Sequence, residues 1–140
     1  MLSQILIGSF LIILTIVVEV IFIEAAIKYL TKFGTKSSNA AKTGRFVVVL
    51  TAVTLWLLAA LTVATWIWAM AFVGLGAFET LEKSLYFSMV AFTTLGFGDI
   101  TLPEDLRLLS GFIAANGLVL FGLNTAFLIE VMARFRGGDK

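Results

Sequence analysis

At 140 residues, 60% of them hydrophobic and only 14% charged, the chain carries more apolar surface than a soluble domain of its size can hide. A formal net charge of +1 makes nucleic acid an unexpected partner, and the lack of cysteine and histidine excludes disulfides, thiolate metal sites and the usual structural zinc. A mean hydropathy of +1.05 points instead to a membrane protein.

A bilayer core of roughly 30 Å takes about 20 helical residues, and three stretches are long enough. The first, residues 5–23, contains one charge, Glu19. No Lys or Arg precedes it, so it is a poor signal peptide and is read as a retained helix over residues 1–31. A linker at 32–45 follows, with a Ser/Asn/Ala/Gly/Thr-rich loop at 34–44. The second stretch, 46–78, is uncharged and too long for one perpendicular span. Gly74 and Gly76 are expected to end its helix near Phe72, giving an outer helix at 46–73.

Residues 81–92 are too few to cross: about twelve residues make roughly 18 Å of helix. Thr80 can cap the start of this short helix, placed at 80–92, while Glu79 and Glu82 set negative charge near its positive end. Its carboxyl end, with unpaired carbonyls, would aim at the membrane centre and favour a cation there. A re-entrant hairpin of this kind is tolerated only when buried in protein or lining water. Pro103 stops regular structure before the third stretch, 108–129, which is uncharged and predicts an inner helix at 105–135.

The charges have a side. Lys28, Lys32, Lys36, Lys42 and Arg45 surround the linker with no acid beyond Glu24, and the tail adds Arg134, Arg136 and Lys140 against Asp139. Residues 79–107 hold Glu79, Glu82, Asp99, Glu104 and Asp105 against Lys83 and Arg107. The positive-inside rule puts linker and tail in the cytoplasm, and the amino terminus and the 79–107 segment outside the cell membrane.

Between the short helix and the third span lies Thr93-Thr94-Leu95-Gly96-Phe97-Gly98-Asp99. Glycines alternating with bulky apolar residues suit a ribbon whose carbonyls point at one axis, because Gly96 and Gly98 can adopt positive φ at alternate positions. Leu95 and Phe97 then anchor the ribbon in surrounding protein. Stacked oxygen rings can replace the hydration shell of a cation. One filter strand cannot encircle an ion, so four chains around one pore are implied, a cyclic homotetramer.

The heptapeptide strongly resembles the selectivity filter of potassium channels, and the resemblance extends over about 46–135. It looks like the simple two-helix bacterial potassium channels, with an extra helix added in front. The resemblance implies an all-α membrane protein with three transmembrane helices, a re-entrant pore helix and a filter. It implies K+ sites formed by the carbonyls of Thr94, Leu95, Gly96 and Phe97 with the Thr94 hydroxyl, and an outer mouth at Gly98 and Asp99. Filter support falls to Thr93, Asp99, Tyr86, Phe87 and Val90. Residues 117–126, GLVLFGLNTA, are similar to the pore-lining helix, placing Gly117 at a hinge and Phe121 and Thr125 at the cavity. The sequence departs from the family pattern at three places: Phe97 stands for the usual tyrosine, Phe87 for a tryptophan, and Val90 for a glutamate of some bacterial relatives.

Other residues carry two readings each. Gly117 serves close packing or a hinge. Trp66, Trp68 and Tyr29 are read as interfacial anchors, and Glu24 and Lys28 as an i,i+4 pair. Glu19 is an intramembrane carboxylate, either neutral against a neighbouring helix or a pH sensor. Glu130 is a solvated helix-end charge or one of a ring of four acids in the permeation path. The expected function is a potassium-selective channel subunit, not an enzyme, with no cofactor beyond permeant K+ ions and no soluble ligand domain. The alternatives are a channel-like subunit of a potassium transporter and a non-conducting partner of another channel.

Overall fold

The computed structural model describes residues 1–33 and 42–137. Among them it is all-helical, with α1 (Leu2–Phe33), α2 (Lys42–Gly74), α3 (Leu81–Phe92) and α4 (Leu108–Gly137), and a 3₁₀ turn at Glu104–Leu106. The helices α1, α2 and α4 are long and apolar enough to cross a membrane; α3 is not. The loop expected at 34–44 lies outside the described residues as far as position 41, as does the end of the tail.

Helix ends follow local chemistry. The second helix closes at Gly74 in a Schellman motif, with Gly76 at φ +69, Ala77 N–H donating to the Phe72 carbonyl at 2.9 Å and Gly76 N–H to Val73 at 3.0 Å. At the start of α3 the Thr80 hydroxyl accepts from the Lys83 N–H at 3.3 Å, and Glu82 sits in the first turn. Two boundaries differ from expectation. Lys42 to Arg45, assigned to the linker, already belong to α2, because hydropathy marks only the apolar part of a helix. The inner helix begins at Leu108 rather than 105, because the chain after Pro103 first makes a 3₁₀ turn, Leu106 N–H to Pro103 carbonyl at 3.0 Å.

The short helix α3 is wedged between α2 and α4. Phe72 of α2 packs edge-on against Phe87 of α3 at 5.4 Å, Phe78 closes on Phe87 at 5.3 Å, and the buried Ser84 hydroxyl donates to the Ala69 carbonyl at 2.7 Å. Leu109, Ile113 and Leu120 of α4 complete this core. A second cluster joins the helices at the other end, where Val53 and Leu57 of α2 meet Val131 of α4, and Phe46 meets Phe135 edge-on at 5.5 Å.

Trp68 corrects the sequence reading. It is fully buried in the core beside Phe72 at 5.7 Å, not at an interface. Two residues apart on a helix is about 200° of rotation, so Trp66 faces outward at 42% exposure while Trp68 faces in. Tyr29 is exposed, as an anchor requires.

The first helix runs alongside α4 in the same direction. Gln4 bonds the Asp105 carbonyl and accepts from the Leu108 N–H at 3.2 Å, Gly8 abuts the Phe112 ring, and Thr15 accepts from Asn116 at 2.7 Å. Against α2 it is held by Trp56, whose indole N–H donates to the Phe22 carbonyl at 2.9 Å while the two rings lie 4.9 Å apart.

Candidate ion-conducting site

The segment from Thr93 to Asp99 hangs from the carboxyl end of α3. Thr93 donates its N–H to Met89 at 3.0 Å and its hydroxyl to the same carbonyl at 2.7 Å; Thr94 N–H reaches Ala91 at 3.0 Å and Leu95 N–H reaches Val90 at 3.0 Å. The carbonyls of Met89, Val90 and Ala91, expected to be unpaired, are thus taken by the loop itself. Their role is to fix where the loop begins, and the helix dipole remains behind it.

From there φ alternates in sign. Thr94 stands at φ +60, Gly96 at +58 and Gly98 at +76, while Leu95 and Phe97 are not among the positive-φ residues. An alternation of this kind suits a ribbon whose successive carbonyls point to one side. Glycine adopts positive φ without strain; a β-branched threonine does not. Strain of about 1–3 kcal/mol in such a residue persists where the surroundings over-determine it, and it gathers at ligand clamps. Among the described residues no hydrogen bond is accepted by the carbonyls of Thr94, Leu95, Gly96 or Phe97. Backbone oxygens are otherwise paired as a rule, so this row is free to face a cation. In the single chain Leu95 and Phe97 are 61% and 66% exposed, so neither is anchored in this chain's own core.

Asp99 is held. The Tyr86 hydroxyl donates to its Oδ2 at 2.7 Å, tying the end of the loop to the middle of α3. That bond keeps the Asp99 carboxyl below its usual range and raises the Tyr86 hydroxyl above its own. Tyr86 therefore supplies a hydroxyl to Asp99 where Phe97, Phe87 and Val90 supply none. Phe87 is buried behind α3 against Phe72 and Phe78, and Val90 contributes its carbonyl to the Leu95 bond.

On α4, Gly117 makes the close packing contact, which does not exclude a hinge. A Cβ built there would run into the Phe92 carbonyl oxygen, so the α4 backbone lies directly on the last residue of α3. Close packing is the observed role. Phe121, partly exposed, lies tilted against Phe92 at 5.9 Å, and Thr125 is exposed with its hydroxyl turned back to the Phe121 carbonyl at 2.8 Å. Glu130 is not a bare acid: Arg134 donates to it at 2.8 Å, one turn on. Glu24 and Lys28 pair at 2.8 Å. Glu19 lies on α1 away from the loop, fully buried, with Asn124 of α4 facing it.

Four features were not read from the sequence: the positive φ of Thr94, the Tyr86 hydroxyl bond, the Arg134 partner, and the buried Asn116 and Asn124. The last two carried a usable signal, because carboxamides within an apolar span are seldom placed idly. Arg134 follows Glu130 at the same spacing as Lys28 follows Glu24.

The chain has no match among curated proteins and none among solved structures. A family model described as "ion channel" matches residues 55–134, which takes in most of α2, all of α3, the loop at 93–99 and nearly all of α4, and leaves α1 outside. The loop geometry and this match agree: the chain belongs to the ion channel family.

Proposed function

We propose that the chain is the subunit of a potassium-selective channel, four copies of which surround one pore. The observation that carries this reading is the row of unpaired carbonyls from Thr94 to Phe97 on a loop whose φ alternates in sign. Four such rows facing one axis make oxygen cages of the kind that strip water from K+. The exposed Leu95 and Phe97 then pack against neighbouring subunits. Gly98 and Asp99 form the outer mouth, and the acids of residues 79–107 concentrate cations there. Phe121 and Thr125 line the inner cavity, and the amino terminus lies outside and the carboxyl terminus inside the cell. The mass of the purified complex in detergent tests the assembly: four chains are expected, and a monomer contradicts the reading.

The Tyr86–Asp99 bond predicts a pH effect. A carboxyl held below its usual range supports the mouth at higher pH and loses that support as pH falls through the lowered value. Tyr86→Phe returns Asp99 to the ordinary range, so loss of K+ flux on acidification begins at a higher pH than in the wild type. Flux measured against external pH checks this; coincident profiles would mean that the bond does not support the mouth.

The Glu130–Arg134 pair makes a second prediction. With Arg134 in place the ring of acids is nearly neutralised, and only its loss exposes four carboxylates. Arg134→Gln is expected to strengthen block by cytoplasmic magnesium, and Glu130→Gln, which leaves Arg134 alone, to lower outward unitary current. The pair is exposed and worth at most about 1 kcal/mol, so either change stays within about fivefold and shrinks with salt. Outward currents unaltered by both variants at low salt place the pair away from the ion path.

A further inference from the structure

The first helix lies outside the segment shared with the ion channel family, yet it makes a polar seam with α4. Glu19 is fully buried, and neither of its carboxyl oxygens has a hydrogen-bond partner. Asn124 faces it from α4, 5% exposed, and both of its carboxamide atoms are likewise unpartnered. Toward the filter end, Asn116 donates to the Thr15 hydroxyl at 2.7 Å while its own Oδ1 stays unpaired, and Thr15 bonds back to Leu11 and Ile12 at 3.0 Å.

Among the described residues no charge offsets Glu19. Residues 46–74 of α2 and 108–129 of α4 hold no ionisable acid or base, and the nearest ionisable neighbour on α1, Glu24, is exposed and paired with Lys28. A buried carboxylate without a counter-charge or donor costs far more than packing returns. A neutral carboxyl has one O–H donor and one carbonyl acceptor, matching the acceptor and donor of a facing carboxamide; a carboxylate has acceptors only and leaves Asn124 Oδ1 without a donor. One proton satisfies the pair.

We propose that Glu19 and Asn124 form a proton-binding site through which α1 holds the part of α4 remote from the filter. Gly117 seats α4 against the end of α3, and Asn124 lies two turns further along. With the proton bound, α1 and α4 stay joined at this depth. When it leaves, the carboxylate draws in water, the seam parts, and α4 beyond Gly117 is released. Ion flux then depends on pH through α1.

Glu19→Gln keeps a donor and an acceptor but cannot titrate. In liposomes it is expected to give K+ flux that is flat from about pH 5 to about pH 9, at the level the wild type shows at low pH. That readout rests on the channel reading, so a second one is independent of conduction. The chain has no cysteine, and the pair Ile23→Cys with Phe127→Cys, which pack on one cluster beyond Asn124, can report the seam by disulfide cross-linking. The ratio of cross-linking rates with and without Glu19→Gln cancels thiol ionisation, and is expected to change on the order of tenfold across this pH range. A constant ratio, or a Glu19→Gln flux profile that still follows the wild type, overturns the proposal. A changing ratio in a protein that shows no K+ flux upholds the site and overturns the channel reading.

Discussion

Replacing Gly117 by alanine is expected to destabilise the protein severely, although helix propensity alone predicts the opposite. Glycine inside a helix is worse than alanine by about 1 kcal/mol. Here the added Cβ would overlap the Phe92 carbonyl oxygen and come within 2.9 Å of its carbon and 3.3 Å of its Cα. These are backbone atoms at the end of α3 and have no rotamer to escape into. Nor can α3 retreat, since Ser84 ties it to Ala69 at 2.7 Å and Phe87 packs edge-on against Phe72 at 5.4 Å. Overpacking costs about 1–3 kcal/mol when side chains can adjust; against fixed backbone the upper end applies, on the order of 100-fold in the folding equilibrium. Any relief by moving α3 also moves the loop that hangs from Thr93. Gly122→Ala is the control, because nothing lies within 4 Å of a Cβ there, and it should be neutral or mildly stabilising. Denaturant unfolding of the two variants in detergent checks the contrast. Equal stability would return Gly117 to a pure hinge.

Gly96→Ala is expected to leave the fold intact and destroy selectivity or conduction. Nothing in the same chain lies within 4 Å of a Cβ at Gly96, so sterics within the chain play no part. The cost is the backbone alone: at φ +58 an L-residue is disfavoured by roughly 1–2 kcal/mol. Four chains meeting at one ring would bring about 4 kcal/mol or more against the alternating conformation. Thr94 already holds φ +60 one step earlier in the alternation, so the loop has little tolerance left. Relaxing Gly96 to negative φ breaks the alternation and, in the proposed tetramer, turns a ring of oxygens off the axis. Flux of K+ and Na+ through the variant, beside its unfolding midpoint, separates the two effects: selectivity falls by at least about tenfold with unfolding unchanged. Full selectivity in Gly96→Ala would detach ion choice from this backbone.

Much of this architecture is written in the chain at the level of hydropathy and glycine placement. The three spans, the short helix after Thr80 and the turn at Gly76 follow from uncharged length, a capping hydroxyl and a residue that accepts φ +69. Pattern within the spans was not legible, for a physical reason. A helix surrounded by lipid on one side and protein on the other is apolar all round, so no stripe marks which face is buried. Trp66 and Trp68 look alike in sequence and end on opposite faces. The polar residues inside the spans are the ones that could have shown the seam, since Thr15, Glu19, Asn116 and Asn124 all lie buried along it. Glu19 stood out by its charge; its carboxamide neighbours did not. In the loop, the glycines announce two positive-φ positions, but no residue preference announces a third at a threonine. That one is imposed by the bonds from Thr93, Thr94 and Leu95 into the end of α3.

The most direct test of the account is the ion preference of the purified chain alone in liposomes, with K+ on one side and Na+ on the other. The account predicts current that reverses close to the potassium equilibrium potential. Equal permeation of the two ions, or no current from the chain alone, would contradict it.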